Sequence, residues 1–281
     1  MVEKKQISFI FTVPPLYDDE FEAIKELVYK KSGIHLTEEK RDLVRSRLGK
    51  ILRRRGINSF WEYYRQVIND SSGKMLVEML DAISTNFTHF FREKDHFDFL
   101  QTVVIPQCEP KRRLKIWSAG CSSGEEPYSI AITLFETIKD IKKWDVKILA
   151  TDISTRVLKK AMLGIYQAEQ LSTIPKLLIR RYFLRGKGNW AGYYKVKPEL
   201  KKMIEFKRLN LLEKFSFKVK FDVIFCRNVM IYFDKPTKES LINRFISCLV
   251  DGGYLFIGHS ESLMGMKHSL KYIKPAIYQK V

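Results

Sequence analysis

The stretch that most restricts this chain runs from Ile116 to Ser129, Ile-Trp-Ser-Ala-Gly-Cys-Ser-Ser-Gly-Glu-Glu-Pro-Tyr-Ser, with Lys-Ile-Leu-Ala-Thr-Asp at Lys147 to Asp152 as its sequel. An apolar run enters a turn of small residues, and the Ile-Ala-Ile-Thr-Leu-Phe run from Ile130 then reads as a helix. A glycine-rich strand-to-helix turn lets backbone N–H groups approach a ligand that side chains would fend off. The second run ends on a single carboxylate, Asp152, placed to accept both ribose hydroxyls of a nucleoside. Together the two runs predict a nucleoside pocket at the carboxyl edge of a parallel sheet.

What the turn lacks narrows the nucleoside. A dinucleotide site would show Gly-x-Gly-x-x-Gly with an acid about twenty residues later. Here the glycines are Gly120 and Gly124, and Asp152 arrives later than that. A phosphate-binding loop would close on Gly-Lys-Ser/Thr, whereas this turn closes on Gly124-Glu125-Glu126, which would repel phosphate. Acids at a helix start also complement the helix macrodipole, and for one glutamate that is the simpler account. For the whole constellation, a ligand carrying an ammonium or a sulfonium fits better. S-adenosylmethionine carries both, so a methyltransferase leads the candidates.

The 281 residues suffice for one large domain, or one large and one small, with a buried core. Hydrophobic content of 45% beside 29% charged residues argues against disorder. No apolar run approaches the length of a membrane span, and Met1-Val-Glu-Lys-Lys lacks the apolar core of a signal peptide. A cytoplasmic protein without direct membrane insertion is expected. Cys108, Cys121, Cys226 and Cys248 lie far apart without a Cys-x-x-Cys pair, and no His-x-x-x-His spacing occurs. The thiols therefore read as reduced and buried, and no metal site is expected. The formal charge of +18 is the compositional outlier, and it draws an acidic partner: nucleic acid, anionic membrane or an acidic protein surface.

Along the chain, Met1 to Pro15 read as a lead-in closed by Pro14-Pro15. From Asp18 the pattern is helical, with Phe21, Ile24, Leu27 and Val28 on one face and Ser32-Gly33 as its end. A second helix, starting after Thr37-Glu-Glu-Lys40, buries Val44, Leu48, Ile51 and Leu52 and turns Lys40, Arg41, Arg45, Arg47, Lys50, Arg53, Arg54 and Arg55 outward against a lone Asp42. A run of cations is usually a solvated face, but so few acids within it points to docking of an acidic partner. Helices are also predicted around Ser59 to Asn69 and Gly73 to Ile83, giving a small, basic, all-helical domain over residues 1–83. Residues 84–113 form a join, which carries Asn86, Thr88 and Arg92 toward the glycine turn.

After Arg113 the alternation of strands and helices predicts an α/β domain over 114–281, a parallel sheet with helices on both faces. Strands are expected at 114–118, 146–151, 203–208, 221–226 and 253–258, with the tail from Tyr272 closing the sheet antiparallel. An insertion near 182–196 carries Gly186, Gly188 and Gly192 among aromatics and suits short antiparallel strands. Its exposed edges can recruit an extended peptide. Past Asp222-Val-Ile-Phe-Cys226, residues Asn228 and Tyr232 fall where an open α/β sheet meets its substrate.

These motifs resemble the chemotaxis receptor methyltransferases: Thr85-Asn-Phe-Thr-His-Phe-Phe-Arg-Glu93, Trp117 to Ser129, Ala150-Thr-Asp-Ile-Ser154, Leu209-Asn-Leu211, Cys226-Arg-Asn-Val-Met-Ile-Tyr-Phe-Asp234 and Gly258-His-Ser-Glu-Ser262. They occur in family order and span nearly the whole chain. The resemblance implies a Rossmann-like class I methyltransferase sheet, with S-adenosylmethionine as cofactor and S-adenosylhomocysteine as product. It implies methylation of glutamates on the acidic cytoplasmic helices of chemoreceptors, by a monomer. By the same resemblance Asn86, Thr88, Arg92, Gly120, one of Glu125 and Glu126, Asp152, Asn210, Leu211, Arg227 and Asn228 hold the cofactor. Arg41, Arg45, Arg53 and Arg54 would meet the receptor, and Gly186, Gly188 and Gly192 would shape a site for a receptor C-terminal peptide.

A glutamate with a pKa near about 4.3 is already ionised at neutral pH, so methyl transfer to it requires no general base. Orientation is what must be supplied, and Arg92 and Tyr232 are the residues expected to align the incoming carboxylate. One rival is a nucleic-acid methyltransferase, favoured by the charge. Against it, the Asn-Pro-Pro-Tyr type of motif is absent, Asn228-Val-Met-Ile taking its place, and the basic helix lacks interleaved stacking aromatics. The other is a module that binds S-adenosylmethionine as a signal, which Arg92, Asp152 and Tyr232 argue against.

Overall fold

The computed structural model describes residues 13–84 and 86–281; most of the lead-in and Thr85 of the join lie outside the described residues. The chain divides into two compact units, Met1–Thr85 and Asn86–Val281. The segment 86–113, read from the sequence as part of a join, lies within the second.

In the first unit the helices are α1 (Asp18–Ser32), α2 (Arg41–Arg55), α3 (Phe60–Asn69) and α4 (Lys74–Ile83), with a 3-10 turn, Glu38–Lys40, ahead of α2. The apolar stripe of α2 is buried at Val44, Leu48, Ile51 and Leu52, as its spacing requires. The start of α1 is fixed by Glu20, a buried acid that accepts the N–H groups of Tyr17 and Trp61 at 2.9 Å each. At the start of α3, the Ser59 hydroxyl accepts the Glu62 N–H at 3.1 Å, an ordinary N-cap.

The second unit opens with α5 (Lys94–Phe99), which runs through a π-helical stretch, Leu100–Val104, into α6 (Ile105–Cys108). Its strands are β1 (Arg113–Ala119), β2 (Asp145–Asp152), β3 (Ile165–Gln167), β4 (Phe183–Arg185), β5 (Tyr193–Val196), β6 (Ile204–Arg208), β7 (Phe221–Cys226), β8 (Leu249–Ile257), β9 (Leu270–Lys274) and β10 (Ile277–Lys280). Between them lie α7 (Glu125–Thr137), α8 (Thr155–Leu163), α9 (Lys176–Tyr182), α10 (Pro198–Lys201) and α11 (Lys235–Cys248). The main sheet has the order β6-β2-β1-β7-β8-β10-β9; its first five strands are parallel and β10 is antiparallel to both neighbours. The chain leaves β1 toward β2 and β6, then returns to the other side of β1 with β7. That reversal opens the crevice at the carboxyl ends of β1, β2 and β7.

Side chains alternate faces along each strand, so the sheet sorts them into two cores. Leu114, Ile116, Val223, Phe225 and Phe256 pack on one side with residues of α5 and α7. Trp117, Ala119, Ile224, Leu255 and Ile257 pack on the other with Leu241, Ile242 and Phe245 of α11. Among the described residues no helix is long and apolar enough to cross a membrane.

The insertion is a three-stranded antiparallel sheet, order β3-β5-β4. The sequence reading anticipated the pair joined by the glycines. It missed β3, which is three residues long and lies ahead of the stretch read as the insertion.

Trp117 is the largest fully buried side chain. Its Nε1–H donates to Thr151 Oγ1 at 2.8 Å, and the rings of Phe215, Phe217, Phe221 and Phe245 surround it with centroids 4.9–5.5 Å away. Trp117→Ala is expected to destabilise the protein by about 3–5 kcal/mol in urea unfolding, the cost of a large core cavity.

Candidate active site

The glycine turn follows β1 directly. The N–H groups of Gly120 and Cys121 both donate to Thr151 O, at 2.8 and 2.9 Å, and so tie the end of β1 to the end of β2. Gly120 and Gly124 have φ of +97° and +98°, a region that strains any side chain. A Cβ on Gly120 would stand 2.4 Å from Val229 Cγ2, and one on Gly124 would stand 2.9 Å from Ala161 Cβ. Asp152, at the end of β2, accepts Ser122 N–H on Oδ2 at 2.8 Å and Ser154 N–H on Oδ1 at 2.9 Å. Its carboxylate is thereby aimed. Leu209 N–H donates to Asp152 O at 3.0 Å, which brings the Leu209-Asn210-Leu211 segment beside it. Asn210 is buried and braced by Leu212 N–H at 3.1 Å and Glu213 Oε1 at 3.3 Å.

Arg227, just past β7, is the charged centre of the crevice, its side chain 2% exposed. It donates to Glu126 Oε2 at 3.0 Å, to Glu93 Oε2 at 3.1 and 3.3 Å, and to Arg92 O. Glu126 also accepts the Ser118 hydroxyl at 2.7 Å. Burial pushes the Glu126 carboxyl up against the pull of Arg227 and Ser118. Burial also pushes Glu93 upward, but Arg227 with backbone donation from His259 outweighs it and leaves the group below the usual glutamate value. With Arg92 beside Glu93, the Glu93 and Glu126 carboxylates face two guanidiniums, and it is Asp152 and Glu125 that tip the crevice toward negative charge when all are ionised. That surplus suits a cationic ligand.

The two adjacent glutamates at the start of α7 thus have different partners. Glu126 is committed to Arg227, while Glu125, 1% exposed, takes the Ser123 hydroxyl at 2.7 Å and Gln170 Nε2 at 3.4 Å. Arg92 is partly exposed; it donates to Phe87 O at 3.2 Å and its Nε lies 4.0 Å from Glu93. Asn86 O accepts the Ser122 hydroxyl at 2.9 Å, which sets the 86–92 segment against the glycine turn, and Thr88 is half-buried there. Asn228, with φ +57°, donates from Nδ2 to Glu93 Oε1 at 3.4 Å, and Tyr232 closes the short 3-10 turn Met230–Tyr232.

Residues 86–278 match the family described as CheR methyltransferase, SAM binding domain, and residues 19–84 match CheR methyltransferase, all-alpha domain. The chain belongs to the CheR methyltransferase family. A chemotaxis protein methyltransferase of Borreliella burgdorferi is 46% identical over 270 residues, covering 93% of this chain and 94% of its own. Chemotaxis protein methyltransferase 2 of Pseudomonas aeruginosa is 42% identical over 261 residues, covering 92% of each. The chemotaxis protein methyltransferase of Escherichia coli K12 is 38% identical over 268 residues, covering 94% and 91%.

In this CheR-family chain the cations of α2 are less bare than the sequence suggests. Arg41 pairs with Asp18 and Glu38 at 2.5 and 2.9 Å, and Arg54 and Arg55 both pair with Glu78. Arg47 donates to the last carbonyls of α4, and Arg45 to Val13 O and Pro14 O. Among the described residues Lys50 and Arg53 have no ion pair, and with Arg45, Asp42, Ser46 and Val13 they line a shallow depression. In the small sheet Gly188 and Gly192 have φ of +56° and +85°, and a Cβ on Gly186 would meet Trp190 O at 2.0 Å.

The sequence reading gave no role to Glu93 or His96. Among the described residues Glu93, His96 and His259 offer ligand atoms within 4.8 Å of one another. Arg227 already fills the Glu93 carboxylate, so a metal would first have to displace a guanidinium. His96 is fully buried, stacked on Phe256 at 5.3 Å, with neither ring nitrogen hydrogen-bonded. Burial pushes its imidazole down to about 3, aided by Arg227 and His259 and opposed by Asp95 and Glu93. The folded protein therefore keeps His96 neutral while the unfolded chain protonates it, and stability falls as pH drops from the ordinary histidine value near 6.5 toward 3. His96→Phe, which preserves the stack, is expected to lose about 2 kcal/mol less than the parent between pH 7 and pH 5 in urea unfolding.

Proposed function

We propose that this chain transfers the methyl group of S-adenosylmethionine to glutamate side chains of bacterial chemoreceptors, leaving glutamyl methyl esters and S-adenosylhomocysteine. The observation that carries the reading is the crevice at the ends of β1, β2 and β7. There a glycine cradle, an aimed ribose-type acceptor at Asp152 and an excess of carboxylates converge within one unit. That donor set fits a nucleoside bearing positive charge. Asp152 would take the ribose, and Asn210 and Leu211 the adjoining part of the nucleoside. Glu125, whose partners are neutral, would meet the ammonium end, and Asn86, Thr88 and Asn228 would close the pocket. S-adenosylmethionine supplies there a methyl group activated by its sulfonium.

The chain's own work is alignment. Arg92, partly exposed and loosely held, would steer the substrate carboxylate by a charge-assisted hydrogen bond, and Tyr232 would fix its direction through the phenol. An ionised carboxylate is the nucleophile as it arrives, so no residue need remove a proton. Binding it too tightly would only stabilise the ground state. For the partner, Lys50 and Arg53, without an ion pair among the described residues, would offer positive charge to an acidic receptor helix, beside Arg45. Arg41 and Arg54 would meet the same partner while ion-paired, Arg54 with its side chain 65% exposed. The exposed edge of β4 and the turn of Gly186, Gly188 and Gly192 would accept an extended receptor peptide by strand addition, with Leu184 and Trp190 exposed beside it.

Incubation with radiolabelled S-adenosylmethionine and chemoreceptor-containing membranes should give volatile label released by mild alkali; alkali-stable label, or label on nucleic acid, would contradict the reading. Asp152→Asn should weaken S-adenosylhomocysteine binding about tenfold to a hundredfold in calorimetry, the scale of one charged hydrogen bond. Tyr232→Phe should lower kcat by about tenfold or more while sparing that affinity. Lys50→Glu with Arg53→Glu should raise the receptor KM with kcat preserved, and the deficit should shrink at high salt.

A further inference from the structure

The loop that carries Asn228 and Tyr232 is gripped from both sides. On one side Val229 packs so closely on Gly120 that any Cβ there would lie 2.4 Å from it. On the other, a Cβ on Gly258, at the end of β8, would stand 2.4 Å from Asn228 Nδ2 and 2.9 Å from Asn228 N. The chain then turns back through Glu261 N–H to Gly258 O at 2.9 Å, which directs the Glu261 side chain at the same loop. Its Oε2 accepts the N–H groups of Gly258 at 2.6 Å and Asn228 at 2.9 Å, and its Oε1 accepts Ile231 N–H at 3.1 Å. No cation pairs with this carboxylate among the described residues; its partners are the backbone N–H groups of Gly258, Asn228 and Ile231. Asn228 meanwhile holds φ +57°, a conformation that costs a non-glycine residue energy and persists only where its surroundings impose it.

We propose that Glu261 is a positioning residue for methyl transfer: its two oxygens set the backbone of Asn228 to Tyr232 and so the approach of Tyr232 to the substrate carboxylate. The inference rests on the role assigned above to Tyr232. A carboxylate is required because donors converge on both of its oxygens, and only a group with acceptors at both ends satisfies them. A glutamine of the same shape has one oxygen. Placed on the Gly258 and Asn228 donors, it turns its NH2 toward Ile231 N–H, and two donors face each other one residue before Tyr232.

Glu261→Gln is the variant to measure, alone and combined with Tyr232→Phe, in kcat, receptor KM and calorimetric affinity for S-adenosylhomocysteine. We expect kcat to fall by about 10- to 100-fold with affinity held within about threefold, and no further fall when Glu261→Gln is added to Tyr232→Phe. A normal kcat, or losses that multiply in the double variant, overturns the proposal. Gly258→Ala pushes the same loop from the same side and should give the same kcat loss; if Glu261→Gln does not fold, a normal kcat in Gly258→Ala overturns it instead. Tyr232→Phe with undiminished kcat removes the reading on which the proposal stands, whereas an impaired Tyr232→Phe beside a normal Glu261→Gln removes the positioning role alone.

Discussion

The second unit depends on one guanidinium placed between two carboxylates. Arg227 lies almost wholly out of water, where an isolated charge would cost several kcal/mol in round terms. It is tolerated because its donors are taken by Glu93, Glu126 and the carbonyl of Arg92. Each partner belongs to a different piece of the crevice: Glu126 to the start of α7, Glu93 to the segment entering α5, and Arg227 itself to the exit of β7. Ser118 of β1 joins through Glu126. One side chain therefore ties together the entry to α5, the exit of β7 and, through Glu126, the turn between β1 and α7. Counted with Asp152 and Glu125, the crevice holds more carboxylates than guanidiniums, which suits a cationic methyl donor.

Much of this frame could be read before any coordinates. Strands written as unbroken apolar runs, such as Val223 to Cys226, announce a sheet covered on both faces. Gly120 and Gly124 announce a turn that no other residue would fit, and Asp152 announces an acceptor at the next strand end. These features are legible because each is local: a periodicity, a backbone conformation or a residue at the end of a run. The helical face of α2 was legible for the same reason, and its buried residues are those its spacing marks.

The partners of the charges were not legible. Glu93 and Arg227 meet across most of the second unit's sequence, and neither carries a local sign of the other. The cations of α2 looked uncompensated because Asp18, Glu38 and Glu78 lie on other segments. Strand β3 escaped notice because three residues are too few to show an alternation. The Gly258-His-Ser-Glu stretch stood out as a motif, yet only the convergence of backbone N–H groups on Glu261 gives its acid a task. For the charges and for Glu261 alike, the missing information is a contact between distant segments.

The most direct test of this account is the unfolding free energy of ligand-free Arg227→Gln beside the parent in urea. Removing the guanidinium leaves two buried carboxylates facing each other, and the account predicts a loss of about 3–5 kcal/mol, the cost of breaking a buried ion pair on one side. A loss under about 1 kcal/mol, the worth of an exposed pair, would contradict it.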